Sequence, residues 1–277
     1  MSRPLLVIDG DSLAHRAYHA LPKSFRRAEG RPGNALLGFS NFMVRLWESE
    51  RPRAVLVGWD SLEHPTYRHE LFAGYQAGRE FDADLLEQLD LLPQLVEAFG
   101  FVAAKAPGYE ADDFLAAAVR LEEKRGGTAL VVTSDRDAFQ LASARTTILQ
   151  PTRGVSELAR ISPAEVRERY DVDPEQVPDF IALRGDPSDR MPGARGVGPK
   201  TAADVLRQHG TLEAALEAGR FAAQADELRV YRRMATLDGD APVPKRVPDC
   251  EPTWAKAAAF VRELGLNALA ERLASRA

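Results

Sequence analysis

The chain has 277 residues, 45% of them hydrophobic, which is enough for two domains or one large one. Its net charge is −5, but if the nine carboxylates gathered below are set aside the balance becomes +4, so charge does not exclude a polyanionic partner. No apolar run approaches the roughly 18 residues that span a bilayer, the start lacks a signal-peptide layout, and the single cysteine, Cys250, excludes an internal disulfide; a cytoplasmic protein with no membrane contact is expected.

Leu5-Leu6-Val7-Ile8 is a continuous apolar run, the pattern of a strand buried on both faces. It ends in Asp9-Gly10-Asp11-Ser12 and is followed by a helix over about 13–20, a polar loop over 22–33 and a second helix over about 35–50. Residues 53–58 form the next strand, ending in Trp59-Asp60. Residues 61–84 are irregular. A helix over about 85–99 and a short strand over 100–104 follow. Ala129-Leu130-Val131-Val132-Thr133 is a third clear strand, ending in Ser134-Asp135-Arg136-Asp137, and 146–149 reads as one more. Strands alternating with helices predict an α/β fold with a mostly parallel, doubly wound sheet flanked by helices. Such sheets bind ligands beyond the carboxyl ends of their strands. Asp9, Asp60 and Asp135 each stand at such an end.

Between them lies Tyr109-Glu110-Ala111-Asp112-Asp113, three carboxylates in four positions with no cation among them, opening an apolar helix that ends near 125–127. A helix N-terminus tolerates negative charge, but three carboxylates together repel unless something neutralises them. Trp47, Phe99 and Phe114 fall on apolar faces and read as core. His15 and His19, four apart, read as the polar end of a surface helix. Tyr75 reads as an exposed loop aromatic.

Beyond about 158 strand signals give way to helices, at about 174–184, 199–208, 211–218, 222–236 and 253–274. Residues 1–158 are therefore expected to form the α/β domain and 159–277 a helical one. Gly185-Asp186-Pro187-Ser188-Asp189 adds two carboxylates. Gly193 through Thr201 is a glycine-rich loop opening a helix. There Gly196 and Gly198 let backbone N–H groups approach an anion, and Lys200 adds a point charge.

Asp9, Asp60, Glu110, Asp112, Asp113, Asp135, Asp137, Asp186 and Asp189 are all hard oxygen donors with no Cys or His pattern among them, which selects Mg²⁺ or Mn²⁺ over Zn²⁺. Nine exceed what one ion needs and suit a pair of ions acting on a phosphodiester.

Ile8-Asp9-Gly10, Arg68-His69-Glu70, Tyr75 through Arg79, Gly108 through Asp113, Ser134 through Asp137, Gly185 through Asp189 and Gly193 through Thr201 recur in this order in one family. The chain resembles the 5′-nuclease (5′–3′ exonuclease, flap endonuclease) domain of bacterial DNA polymerase I over nearly its whole length. Ending at Ala277, it looks like a free-standing member. The resemblance implies a PIN-like fold, a helical arch over about 64–84 and a helix-hairpin over about 185–208 that grips duplex DNA and can hold K⁺. It implies a monomer that cleaves 5′ ends and flaps of branched or nicked DNA with two or more divalent ions. Asp9, Asp60, Glu110, Asp112 and Asp113 match one metal set, and Asp135, Asp137, Asp186 and Asp189 the other. Tyr75 would stack on a base. Arg16, Arg68, Gln76 and Arg79 would line the strand's path, with Arg16 and Arg79 on phosphates and Arg79 serving catalysis. Gly196, Gly198, Lys200 and Thr201 would meet the duplex.

Two positions depart from the family pattern. Gln76 stands where the family usually has Lys, and Arg190 where it usually has Asn. Two other readings compete. Asp9-Gly10-Asp11, Thr133 or Ser134, and Gly185 through Asp189 resemble the motifs of a haloacid-dehalogenase-type phosphatase, although the last should follow a strand and here follows a helix. A junction-binding protein with weak catalysis would fit Gln76.

Overall fold

The computed structural model describes residues 3–76, 80–153 and 157–277. Six strands form one sheet: β1 Leu5–Asp9, β2 Ala54–Gly58, β3 Val102–Ala104, β4 Ala129–Val132, β5 Thr146–Arg153 and β6 Glu157–Ile161. Their spatial order is β3-β2-β1-β4-β5-β6. The first five are parallel, and β6 returns antiparallel on β5.

Apolar runs buried on both faces explain the centre of the sheet. Because side chains alternate along a strand, Leu5 and Val7 point into one core with Leu56, Val131 and Ile148. Leu6 and Ile8 point into the other with Val55, Val57, Val132 and Leu149. Helix Ala111–Lys124 covers the first face through Phe114, Leu115 and Ala118. Helices Gly10–Ala20, Asn34–Glu50, Ala83–Leu89 and Leu92–Ala98 cover the second. Chain order reverses between β1 and β4, so the crevice at their carboxyl ends is where such a sheet takes a ligand.

Four expectations are corrected. The helix expected over 85–99 is two helices, because Pro93 has no N–H to give and its ring clashes with the carbonyl one turn earlier. The long C-terminal helix is also two, Trp254–Glu263 and Asn267–Ala274, separated at Gly265, whose φ is +79°. β6 has a mixed face and no apolar signal, and it runs to Ile161 where helices alone were expected. Trp47 is only partly buried, stacked on Phe101 at 5.7 Å, whereas Phe99 and Phe114 are fully buried.

Helices Val177–Arg184, Pro199–His209, Leu212–Glu217 and Ala225–Ala235 continue the first core through Phe180, Leu206, Leu212 and Leu228. The last two helices instead pack on the second face, with Val261, Leu269 and Leu273 beside it and Arg276 paired with Glu48 at 3.0 Å. Among the described residues, no helix is long and apolar enough to cross a membrane.

Candidate active site

Asp9 ends β1 and caps the helix that follows at once, accepting from the Ser12 N–H at 2.9 Å. Its other oxygen accepts from the Thr133 hydroxyl at 2.7 Å, across the β1–β4 crevice. The same hydroxyl oxygen accepts the Asp135 N–H at 3.0 Å, and Asp135 accepts the Asp137 N–H at 2.8 Å. The ends of the two central strands thus carry one connected row of carboxylates.

Asp60 follows β2 and accepts the Ala111 N–H at 2.8 Å, capping the opening turn of helix Ala111–Lys124. Gly58 permits that approach, since a Cβ there would lie 2.5 Å from the Ala111 carbonyl oxygen. Asp11 accepts the Asp60 N–H at 2.7 Å. On the far side, Gly185 and Gly193 hold positive φ and lie so close that a Cβ on Gly193 would sit 2.4 Å from the Gly185 nitrogen. This tight turn sets Asp186 and Asp189 against the sheet's carboxyl edge. Asp186 accepts the Ser188 N–H at 2.8 Å.

A cleft of about 910 Å³ results, lined by Asp9, Asp60, Glu110, Asp112, Asp135, Asp137, Asp186 and Asp189. Burial, with repulsion from Asp60 and Asp135, pushes the Asp9 carboxyl up to about 7. Burial, with Asp135 and Asp186, pushes Asp189 up to about 7 as well. Asp112 and Asp137 are held well above the usual carboxylate range, chiefly by burial, and enclosure by the cleft walls raises Asp135. Mutual repulsion runs from Asp9 to Asp60, from Asp112 to Asp135 and from Asp135 to Asp186, which joins the two expected sets into one field.

The chain matches two family models end to end, the 5′–3′ exonuclease N-terminal resolvase-like domain over 4–171 and the 5′–3′ exonuclease C-terminal SAM fold over 172–258. The chain belongs to the 5′–3′ exonuclease family. DNA polymerase I of Mycobacterium leprae is 43% identical over 211 residues, covering 76% of this chain and 23% of that protein. DNA polymerase I of Bacillus caldotenax is 35% identical over 289 residues, covering 99% of this chain and 33% of that protein. The chain therefore spans about a quarter to a third of the polymerases it matches. In fold it matches T5 5′-exonuclease with zinc bound, at a TM-score of 0.70 and 19% identity over 99% of each chain. It also matches the catalytic core of Rad2 in complex with DNA substrate, at 0.59 and 15% identity over 98% of this chain and 93% of that one.

Within this exonuclease-family cleft, several residues differ from their sequence-based assignment. Asp113 does not line the cleft. It is fully buried, and its oxygens accept two parallel hydrogen bonds from Arg68, at 2.9 and 2.8 Å, and the N–H groups of Glu110 and Asp238. Arg68, expected on the DNA path, is 2% exposed and spends its Nε on the Met234 carbonyl at 3.0 Å. It lies 3.3 Å from Glu110 and 3.6 Å from Asp112 and is the internal cation of that cluster. Tyr75, expected exposed, is buried, and its hydroxyl donates to Glu110 at 2.8 Å. Glu110 also accepts from Thr66 at 2.9 Å. Gln76 donates to the Tyr75 hydroxyl at 2.9 Å, and Arg16 to the Pro151 carbonyl. His15 and His19 both line the cleft, His15 half-buried and His19 exposed at the end of its helix. Arg79 lies outside the described residues.

Asp11, Thr133, Ser134 and Arg184 were not singled out for this chemistry, yet all but Thr133 line the cleft and Thr133 ties Asp9 to Asp135. The Asp9-Gly10-Asp11 spacing was the available signal for Asp11. Gly196, Gly198, Lys200 and Thr201 are all exposed at the start of helix Pro199–His209, apart from the cleft.

The carboxylates fit divalent ions on two grounds. Asp112 Oδ1 is buried without a hydrogen-bond partner, and a cation would relieve the burial and crowding that push Asp9 and Asp189 up to about 7. Among the described residues, no three such groups already converge on one point; the carboxylates stand around the open cleft.

Proposed function

We propose that this protein is a metal-dependent 5′-nuclease that hydrolyses phosphodiester bonds at 5′ ends and flaps of branched or nicked DNA. The observation that carries the reading is the acidic cleft at the β1–β4 switch point, with Asp112 Oδ1 buried and without a hydrogen bond, in a chain of the 5′–3′ exonuclease family. The likeness to T5 5′-exonuclease, seen with divalent zinc, and to Rad2, seen with DNA substrate, supports both the ion and the polymer.

Asp9, Asp60, Asp112, Asp135, Asp137, Asp186 and Asp189 would hold two Mg²⁺ or Mn²⁺ ions, with Glu110 facing the same space. Such ions lower the pKa of an attacking water and neutralise charge on the scissile phosphate and its leaving oxygen. The protein's part is placement. Thr133 fixes Asp9 against Asp135, and Arg68 holds Asp113 and its helix so that Asp112 projects into the cleft. The hairpin 185–208, with Gly196, Gly198, Lys200 and Thr201, would grip the duplex backbone and take K⁺ there, in a monomeric enzyme whose helical part follows β6.

The haloacid-dehalogenase reading fails on two points. Asp186 follows helix Val177–Arg184 rather than a strand, and Asp112 and Asp137 would have no role. The weakly catalytic junction binder is separated by assay. With labelled 5′-flap, nicked and single-stranded DNA, cleavage is expected in Mg²⁺ or Mn²⁺ and none in EDTA. Asp135→Ala should abolish it while binding in Ca²⁺ persists. Binding without cleavage by the wild-type protein in either metal would establish the binder instead.

A further inference from the structure

We propose that Arg184 is a phosphate-binding residue of the cleft, taking a backbone phosphate of the bound strand beside Asp186 and Asp189. The inference rests on the nuclease reading and adds a contact that reading does not contain.

Four arginines line the cleft: Arg16, Arg68, Arg136 and Arg184. Arg68 is committed to Asp113 and the Met234 carbonyl, and Arg16 donates to the Pro151 carbonyl. Arg184 is held differently. It is the last residue of helix Val177–Arg184, where the helix dipole favours a cation. Its guanidinium sits 5.4 Å from the Phe180 ring centre and 6.0 Å from that of Tyr170. Tyr170 in turn stacks on Phe180 at 5.0 Å. The two rings thus hold the cation without using its N–H groups.

Those donors are unspent. Nε is buried without a partner, and among the described residues the guanidinium makes no hydrogen bond. The nearest carboxylate oxygen, on Asp186, is 3.6 Å away, longer than a hydrogen bond. A guanidinium that serves only to neutralise carboxylates closes on them, as Arg68 does on Asp113 at 2.8 and 2.9 Å. Arg184 pairs with Asp186 at 3.6 Å but makes no hydrogen bond to it, and lines the cleft with its guanidinium packed against two rings. That geometry suits two oxygens of one phosphate, which a planar fork matches better than an ammonium does. It also places a positive charge where a polyanion must approach nine carboxylates, a task the neutral Gln76 cannot share.

The test compares wild type, Arg184→Gln and Arg184→Lys. Binding of a fluorescent 5′-flap DNA is measured in Ca²⁺ from 50 to 200 mM KCl, and single-turnover cleavage across a Mg²⁺ titration. Arg184→Gln should bind about tenfold more weakly at 100 mM salt and flatten the salt slope by about one. Its rate at saturating Mg²⁺ should fall about tenfold. Arg184→Lys should keep the slope and recover part of the affinity. An unchanged slope and affinity for Arg184→Gln, with or without a lowered Mg²⁺ requirement, would overturn the proposal and leave Arg184 as a counter-charge to the acids. Absence of cleavage by wild type would sink the nuclease reading separately, while the salt slope would still decide whether Arg184 meets a phosphate.

Discussion

Arg68 and Asp113 lock together through two parallel hydrogen bonds of 2.9 and 2.8 Å, with Arg68 2% exposed and Asp113 fully buried. The pair joins the short helix Tyr67–Leu71 to the start of helix Ala111–Lys124, and Arg68 reaches on to Met234. Part of the charge at the acidic helix start is therefore cancelled by the protein itself, and the carboxylates beyond the pair remain for metal.

Removing one partner of a buried, hydrogen-bonded pair leaves the other charge stranded. Arg68→Met should lower stability by about 3–5 kcal/mol, read as a shift in urea midpoint, and should abolish cleavage. Adding Asp113→Leu should recover part of the stability but none of the activity, because the Glu110 and Asp238 N–H groups lose their acceptor. A loss below about 1 kcal/mol for Arg68→Met, the usual scale of an exposed pair, would show that the pair is not a structural lock.

The raised carboxylates set a pH dependence with a definite sign. Asp9 and Asp189 shift from 3.8 to about 7, so between those values the folded chain binds more protons than the unfolded one. Metal-free stability should therefore fall as pH rises from about 4 to 7 and level off above. Divalent ions replace those protons. Mg²⁺ should raise the melting temperature by several degrees at pH 8, at roughly 2–4 °C per kcal/mol for a chain of this size, and have little effect at pH 5. Differential scanning fluorimetry in EDTA and in Mg²⁺ checks both halves. A metal-free melting temperature that climbs from pH 5 to pH 8 would contradict the assignment.

Gln76 brings no charge to a cleft that must admit a phosphate. It sits at φ +45° and donates to Tyr75, which donates to Glu110. Gln76→Lys should raise the single-turnover rate about tenfold, equivalent to ~1.4 kcal/mol. No change or a loss would mean that other groups supply that charge.

Lys200 is exposed in the first turn of helix Pro199–His209, beside Gly196 and Gly198. Lys200→Ala should weaken duplex binding at every sequence and reduce the salt slope by about one, with folding unchanged. Equal slopes for the two proteins would remove Lys200 from the interface.

The strands, the doubly wound sheet and eight of the nine cleft carboxylates were legible because each rests on a local pattern. An apolar run buried on both faces marks a central strand, and an acid just beyond it falls at the sheet's ligand edge by topology. β6 was not legible, since an edge strand carries a mixed face with no run to betray it. The breaks at Pro93 and Gly265 were written in the sequence but overridden by apolar periodicity that runs through them.

What the sequence alone determined is the set of acids, their order and their attachment to strand ends and helix starts. What only the tertiary structure decided is which charges meet. Arg68 lies 45 residues from Asp113 in the chain yet takes it out of the cleft. Tyr75 turns inward to Glu110, and Arg184 pairs with Asp186 at 3.6 Å without a hydrogen bond. Pairing between charges depends on distances of a few ångströms between segments far apart in sequence, and packing alone sets those distances.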